Sequence, residues 1–362
     1  MAKVLMKGNE AMALAAIKGG VDAFFGYPIT PQNEIPEYLS RELPKLGKVF
    51  VQAESEVAAI NMVYGAGGAG ARVLTSSSSP GIALKQEGIT YMVGSQIPGV
   101  IINVMRGGPG LGGIQPSQAD YNQVTRGGGN GDYNTIVLAP EDVQEAVDLV
   151  KESFDLADYY RNPVMIAADG LIGQMMAPVD LDRPVPKIDL PEKDWATIGT
   201  ENRKPGKDGK VECNTIVSLS LVDTVLEDMN IELQKKFNHM KENQQRYELI
   251  KMEDAELVIV AYGTSSRICR SAINDLREEG IKVGMIRPIT LWPFPEKAFN
   301  EIPKTAKGLM TVEMSMGQMI DDVKIANNGR LPVGFYGRCG GVIPEPEEIV
   351  KACKEFLGGL NG

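Results

Sequence analysis

Ala23-Phe24-Phe25-Gly26-Tyr27-Pro28-Ile29-Thr30-Pro31 is an apolar run that breaks into a loop carrying two prolines. Each proline fixes its own backbone and pushes the residue before it towards extended geometry. The run predicts a buried strand, and the stiff loop displays one hydroxyl, that of Thr30, at the strand's end. In an α/β sheet, ligands bind at the carboxyl ends of the strands.

Working outward, residues 1–180 alternate strand-like and helix-like patterns. Strands are expected over 22–26, 49–53, 73–76, 100–105, 135–138 and 164–168, and helices over 6–18, 56–64, 82–95 and 140–158. Such alternation predicts a doubly wound parallel sheet covered on both faces. Residues 181–250 read as an extended linker and a long helix. The linker carries Pro184, Pro186, Pro191 and Pro205. The helix carries a stripe of Leu219, Val222, Leu226, Met229, Leu233, Phe237 and Met240, spaced for packing. Residues 251–362 read as a smaller α/β unit, with strands at 257–261, 283–286, 308–312 and 333–336 and a helix over 266–279. Its strand-end loops, Tyr262-Gly263-Thr264 and Glu313-Met314-Ser315, read as structural turns.

Composition narrows the function classes. A net charge of −10 argues against a nucleic-acid partner. No apolar run reaches the roughly 20 residues that span a bilayer, and residues 1–10 lack a signal-peptide core, so a cytoplasmic protein is expected. The four cysteines, Cys213, Cys269, Cys339 and Cys353, form no Cys-x-x-Cys pair. That spacing suits free thiols better than a zinc or iron–sulfur site in this chain. The single histidine, His239, falls in the polar helix pattern and argues against His-dependent triads.

Four stretches are able to carry chemistry. Glu54-Ser55-Glu56 stands where a strand gives way to an apolar helix. A carboxylate there serves the helix dipole. A glutamate at the mouth of a buried helix is also partly desolvated, and in its protonated form it donates to a ring nitrogen. Thr75 to Gly81 is a hydroxyl-rich turn, in which Ser79 fits an N-cap before Pro80 at the first helical position. Arg106-Gly107-Gly108-Pro109 follows a strongly apolar strand, and Arg106 suits a carboxylate. A second glycine cluster, Gly127 to Asp132, reads as a further wall or lid.

In this order the pieces resemble one family: Tyr-Pro-Ile-Thr-Pro at 27–31, Glu-Ser-Glu-Val-Ala-Ala at 54–59, Ser79-Pro80-Gly81 with Gln86-Glu87-Gly88, and Arg106-Gly107-Gly108-Pro109. The chain is similar to the alpha subunit of 2-oxoacid:ferredoxin oxidoreductases. The resemblance implies a thiamine-diphosphate pyrimidine-binding domain over 1–180 and a transketolase C-terminal-like domain over 251–362. It gives Glu56, not Glu54, the aminopyrimidine ring. It gives Thr30 and Arg106 the 2-oxoacid carboxylate, as groups at neighbouring strand ends. It lines the cofactor with Tyr27, Pro28, Ile29 and Ser79. No metal ligand is expected here, since Ala168-Asp169-Gly170 matches the magnesium motif poorly. Thiamine diphosphate is expected to be shared with a beta subunit. Magnesium and [4Fe-4S] clusters fall to partner chains, with a gamma subunit, a ferredoxin-like delta subunit or domain, and external ferredoxin. Coenzyme A is the implied cosubstrate.

One departure is local: the family's Ser-Gly-Pro-Gly turn has Ser79 in place of its glycine. The segment from Gly127 to Pro140 looks most like the branched-chain (2-oxoisovalerate) members, with 2-oxoglutarate enzymes second. The competing readings are the beta chain of a lipoyl-dependent 2-oxoacid dehydrogenase and a non-catalytic scaffold subunit.

Overall fold

The computed structural model describes residues 3–200 and 211–360. Pro205 of the expected linker and Met1 lie outside the described residues. Three sheets organise the described residues. The largest has seven strands, in the order Thr290–Trp292, Ile136–Leu138, Pro163–Asp169, Gly99–Met105, Val73–Ser77, Ala23–Gly26 and Val49–Gln52. All of its pairings are parallel except that of the first strand. The central strands are near-continuous apolar runs, as strands covered on both faces must be. Gly99–Met105 and Pro163–Asp169 are buried at every position.

The second sheet has five strands, in the order Val333–Gly337, Gly308–Glu313, Leu257–Val260, Val283–Pro288 and Tyr247–Ile250, the last antiparallel. Helices Gly263–Glu278 and Pro346–Leu360 pack together over a core that includes Leu257, Ile259, Cys269, Ile273, Val312 and Cys353.

Some elements depart from the sequence reading. Residues 4–7 form a strand with Met176–Val179, so the first helix is Gly8–Lys18 and not 6–18. The long helix runs Asp223–Asn243, so Leu219 and Val222 precede it. Of the stripe, only Leu233, Phe237 and Met240 are buried. Phe237 meets Trp292 edge-on, with ring centroids 6.1 Å apart. Trp292 belongs to the strand Thr290–Trp292, which leaves its neighbours in sequence and pairs antiparallel with Ile136–Leu138 of the first sheet.

The two sheets are stitched by buried polar contacts. Gln118 accepts from the Met314 N–H at 2.9 Å and donates to the Tyr262 carbonyl at 2.8 Å. Asp169 accepts from the Thr264 hydroxyl and N–H, and from the N–H groups of Leu171 and Ile172. Burial raises its carboxyl above the usual range, and these bonds pull it back. With both oxygens committed, Asp169 is a helix cap and a clasp. Glu313, also fully buried, accepts from the N–H groups of Gln318, Met319 and Ile320. The turns after Val260 and Val312 are therefore the joint between the units.

Candidate active site

Four adjacent parallel strands, Gly99–Met105, Val73–Ser77, Ala23–Gly26 and Val49–Gln52, bring their carboxyl ends to one edge. The loops that leave them carry Arg106, Ser79, Thr30 and Glu56. One strand, Val73–Ser77, stands between those of Thr30 and Arg106. They are two strands apart and not neighbours, and the contact between them is bridged by the length of the arginine.

Glu56 opens the helix Glu56–Gly68 and is 7% exposed, whereas Glu54 is exposed. Ser55 caps that helix by accepting from the Ala58 N–H at 3.1 Å, so the cap is provided without Glu56. Among the described residues, no group hydrogen-bonds the Glu56 carboxylate. The side chain lies against Gly81, the second residue of the helix Pro80–Gly94. A Cβ at Gly81 would stand 2.0 Å from Ser77 Oγ and 2.9 Å from Glu56 Oε1. Gly81→Ala is therefore expected to cost about 1–3 kcal/mol through overpacking, and to displace Glu56. Melting and turnover measured together test this: turnover falls well beyond what any loss of folded complex explains.

Arg106 is 6% exposed. Nη1 donates to the Thr30 carbonyl at 2.7 Å and Nη2 to the Leu111 carbonyl at 2.9 Å. Its Nε is buried without a partner. The Thr30 carbonyl, not its hydroxyl, meets the guanidinium, and the Thr30 side chain is exposed. Tyr27 and Ile29 are half-buried and Pro28 is exposed. The loop is pinned by three residues with no obvious sequence signal. Asn9 and Gln174 donate to the Pro31 carbonyl. Gln32 donates to the Tyr27 carbonyl and accepts from Ser76. The Thr30–Pro31 and Gly108–Pro109 peptides are cis.

Ser79 corrects the sequence reading. Pro80 is at the first helical position, but the Ser79 hydroxyl makes no cap. It donates to Asp120 Oδ2 at 2.6 Å and accepts from the Arg106 N–H at 2.9 Å. Its φ of 21° lies where glycine is favoured, and these bonds hold it there. Asn103 donates to the same Asp120 oxygen at 2.9 Å. Burial raises the Asp120 carboxyl, opposed by these bonds and by the charge of Arg106. Sequence reasoning missed Asp120 and Asn103, because only the fold brings them to Ser79.

A cleft of about 680 Å³ opens beside this cluster, walled by Leu84, Pro109, Met316 and Cys339 with Ser79 and Asp120. The second glycine cluster is not one of its walls. Gly128 donates to Gln86, and Asn130 accepts from Thr90, on another face of the helix Pro80–Gly94.

The edge thus offers a carboxyl without a partner, a forked cation and unpartnered buried hydroxyls at Ser77 and Ser78. These fit a ligand that brings its own ring donors, acceptors and an anionic group. This defines a cofactor-dependent α/β enzyme that acts at the carboxyl edge of a parallel sheet.

Comparison with known proteins gives the family. Residues 14–262 match the model described as pyruvate flavodoxin/ferredoxin oxidoreductase, thiamine-diphosphate-binding, and residues 255–349 match pyruvate:ferredoxin oxidoreductase core domain II. The chain is 48% identical over 362 residues to the ketoisovalerate oxidoreductase subunit VorB of Methanothermobacter marburgensis, covering 100% of both. It superposes on a 2-oxoglutarate:ferredoxin oxidoreductase from Magnetococcus marinus, solved with 2-oxoglutarate, coenzyme A and succinyl-CoA bound. There the TM-score is 0.86 and the identity 29%, over 98% of this chain and 65% of that longer one. A split-gene transketolase, at 15% identity and a TM-score of 0.61 over 98% of both chains, shares the fold alone. The chain belongs to the thiamine-diphosphate-dependent 2-oxoacid:ferredoxin oxidoreductase family. That membership leaves the lipoyl-dependent reading without support.

Proposed function

We propose that the chain is the alpha subunit of a 2-oxoisovalerate:ferredoxin oxidoreductase. The reaction joins the acyl group left by decarboxylation to coenzyme A and passes two electrons, one at a time, to ferredoxin. The observation that carries the reading is the pairing of an unpartnered Glu56 carboxyl with a buried Arg106 fork at one sheet edge. When bound, thiamine diphosphate supplies the electron sink for decarboxylation. Glu56 would hold a ring nitrogen of that cofactor, with a proton shared between them. Arg106, with donors left over after Thr30 and Leu111, orients the substrate carboxylate. Ser79 and Asp120 hold the Arg106 backbone in place. Tyr27, Pro28 and Ile29 wall the ring, and Thr30 adds its exposed hydroxyl to the substrate end.

The cleft favours a branched apolar substrate over a dicarboxylate. Leu84, Pro109 and Met316 line it; Arg106, whose backbone is held by the lining residue Ser79, serves the first carboxylate, no lining residue offers a cation to a second, and Asp120 would repel it. The higher identity to the ketoisovalerate oxidoreductase subunit agrees. Leu84 and Met316 on its wall, and Leu111 and Ile114 in the loop that continues from its lining residues Pro109 and Gly110, are exposed, at 54%, 77%, 82% and 57%. Exposed apolar groups clustered at a cleft mark a surface that another chain covers. We assign that cover to the beta subunit, with magnesium and the clusters on partner chains, including gamma and ferredoxin-like delta components. Among the described residues no helix is long and apolar enough to cross a membrane, and we place the complex in the cytoplasm.

The test is viologen reduction by the anaerobically purified complex, with coenzyme A and a panel of 2-oxoacids. The expected order of kcat/KM is 2-oxoisovalerate first and 2-oxoglutarate far behind. A dicarboxylate preference replaces the substrate. Inactivity with every 2-oxoacid, in a complex holding clusters and thiamine diphosphate, turns the reading to a scaffold.

A further inference from the structure

Lys85 is a lysine where the packing calls for an apolar residue. Gly81, Lys85 and Gly88 lie four and three residues apart, on one face of the helix Pro80–Gly94. That face packs on the helix of Glu56. Gly81 abuts the Glu56 carboxyl, and a Cβ at Gly88 would stand 2.5 Å from Ile60, one turn beyond Glu56. Between the two glycines the Lys85 side chain is 0% exposed. Its hydrogen-bond partner is the Glu56 backbone carbonyl, at 3.4 Å.

A buried ammonium with one long hydrogen bond is costly. Methionine of the same reach would fill the seam without that cost. The charge therefore has a use other than packing. Among the described residues the charged group coupled to it is Glu56. Desolvation pushes the lysine down to about 8, and Glu56 pulls the other way. The residue sits one helical turn from Gly81, so it flanks the turn that carries the carboxyl the reaction uses.

We propose that Lys85 is a positioning residue for this reaction: its buried ammonium, seated on the first turn of the Glu56 helix, fixes the place and the electrostatic surroundings of the Glu56 carboxyl where it meets the cofactor ring. The inference rests on the role given to Glu56 above. It makes Lys85 act through Glu56 and through nothing else, and this separates it from a lysine retained for stability. A structural lysine loses stability when replaced. One retained for its charge near a reacting group yields a protein at least as stable when an apolar side chain takes its place.

The experiment uses the assembled complex carrying Lys85→Met, Glu56→Gln, or both. Three quantities are read: melting temperature, kcat and KM for the 2-oxoacid, and the protons exchanged when thiamine diphosphate binds. The last comes from calorimetry in buffers of different ionisation enthalpy. In Lys85→Met the melting temperature is expected to hold or rise. Turnover falls about tenfold or more, with KM within about twofold, and the proton exchange changes. In the Glu56→Gln background the same substitution changes neither cofactor affinity nor proton exchange.

Wild-type turnover and proton exchange in Lys85→Met overturn the proposal, as do equal effects of the substitution with and without Glu56. If the methionine variant does not assemble, Lys85→Gln replaces it, and failure of both makes the lysine structural and overturns the proposal. Full turnover in Glu56→Gln alone defeats the role of Glu56. Loss in Glu56→Gln beside an inert Lys85→Met defeats only the role of Lys85.

Discussion

Glu56→Gln in the assembled complex lowers turnover by roughly 10²- to 10⁴-fold, the range typical of losing a positioned proton-transfer group. Assembly stays intact. The physical case starts from what the residue does not do. It does not cap its helix, because Ser55 does. It accepts no hydrogen bond from the described residues, though it is only 7% exposed. A carboxyl that the protein leaves unbonded at the mouth of a helix is available to a ligand that supplies the partner. Glutamine keeps the shape that fills the space against Gly81 and Ser77, so the fold has little reason to change. It cannot share a proton with a ring nitrogen as a carboxyl does. Viologen reduction and size-exclusion chromatography on the same preparation check both halves of the prediction. Glu54→Gln is the control: Glu54 is exposed, and turnover should stay within about twofold, as for surface substitutions away from special features. Near-wild-type turnover in Glu56→Gln removes the residue from the chemistry.

The contrast between Glu54 and Glu56 marks how far the sequence could be read. Two glutamates two residues apart look alike in composition. The apolar helix that begins after Glu56 is what pulls the second of them inside. The buried strands were legible for a similar reason. Runs such as Val100 to Met105 have no polar face to turn outward, and they fall inside a sheet covered on both sides. Signals that depend on one segment meeting another were not legible. Thr290–Trp292 reads locally as part of the smaller unit, and its place at the edge of the first sheet is set by Ile136–Leu138, some 150 residues earlier. The helix Glu34–Glu42 carries Pro36 and many charges, which mask a buried pair at Ile35 and Leu39. Ser79 was placed correctly along the chain and misread in its bonding. A serine before proline ordinarily caps, but here Asp120 and the Arg106 backbone compete for the hydroxyl and win. Asp120, Asn103, Gln32 and Lys85 gain their roles only through space. The lysine left a faint trace, a charge between two glycines at helical spacing.

Arg106 is the second group whose loss should be severe. Its guanidinium joins two loops that sequence alone would leave independent: the Thr30 carbonyl on one side and the Leu111 carbonyl on the other. A planar fork with five N–H donors can hold both and still offer donors to a carboxylate. Lysine cannot reproduce that geometry, so Arg106→Lys should lower kcat/KM by roughly 10²-fold or more, the scale of removing one partner from a buried charge-assisted contact. The loss should come mainly through KM, because the cation orients substrate and does not take part in the electron sink. Part of any effect will come from releasing the Thr30 loop, and Thr30→Val separates the two contributions. It removes the exposed hydroxyl but keeps the carbonyl that Arg106 holds, so a loop-anchoring role leaves it close to wild type. A substrate contact through the hydroxyl raises KM severalfold, as for one lost hydrogen bond to a charged group. Steady-state kinetics on both variants with 2-oxoisovalerate give the answer. A large KM effect in Arg106→Lys with none in Thr30→Val assigns the substrate carboxylate to the arginine alone. An unchanged KM in Arg106→Lys means that the carboxylate is bound elsewhere, and the fork between the loops is then purely architectural.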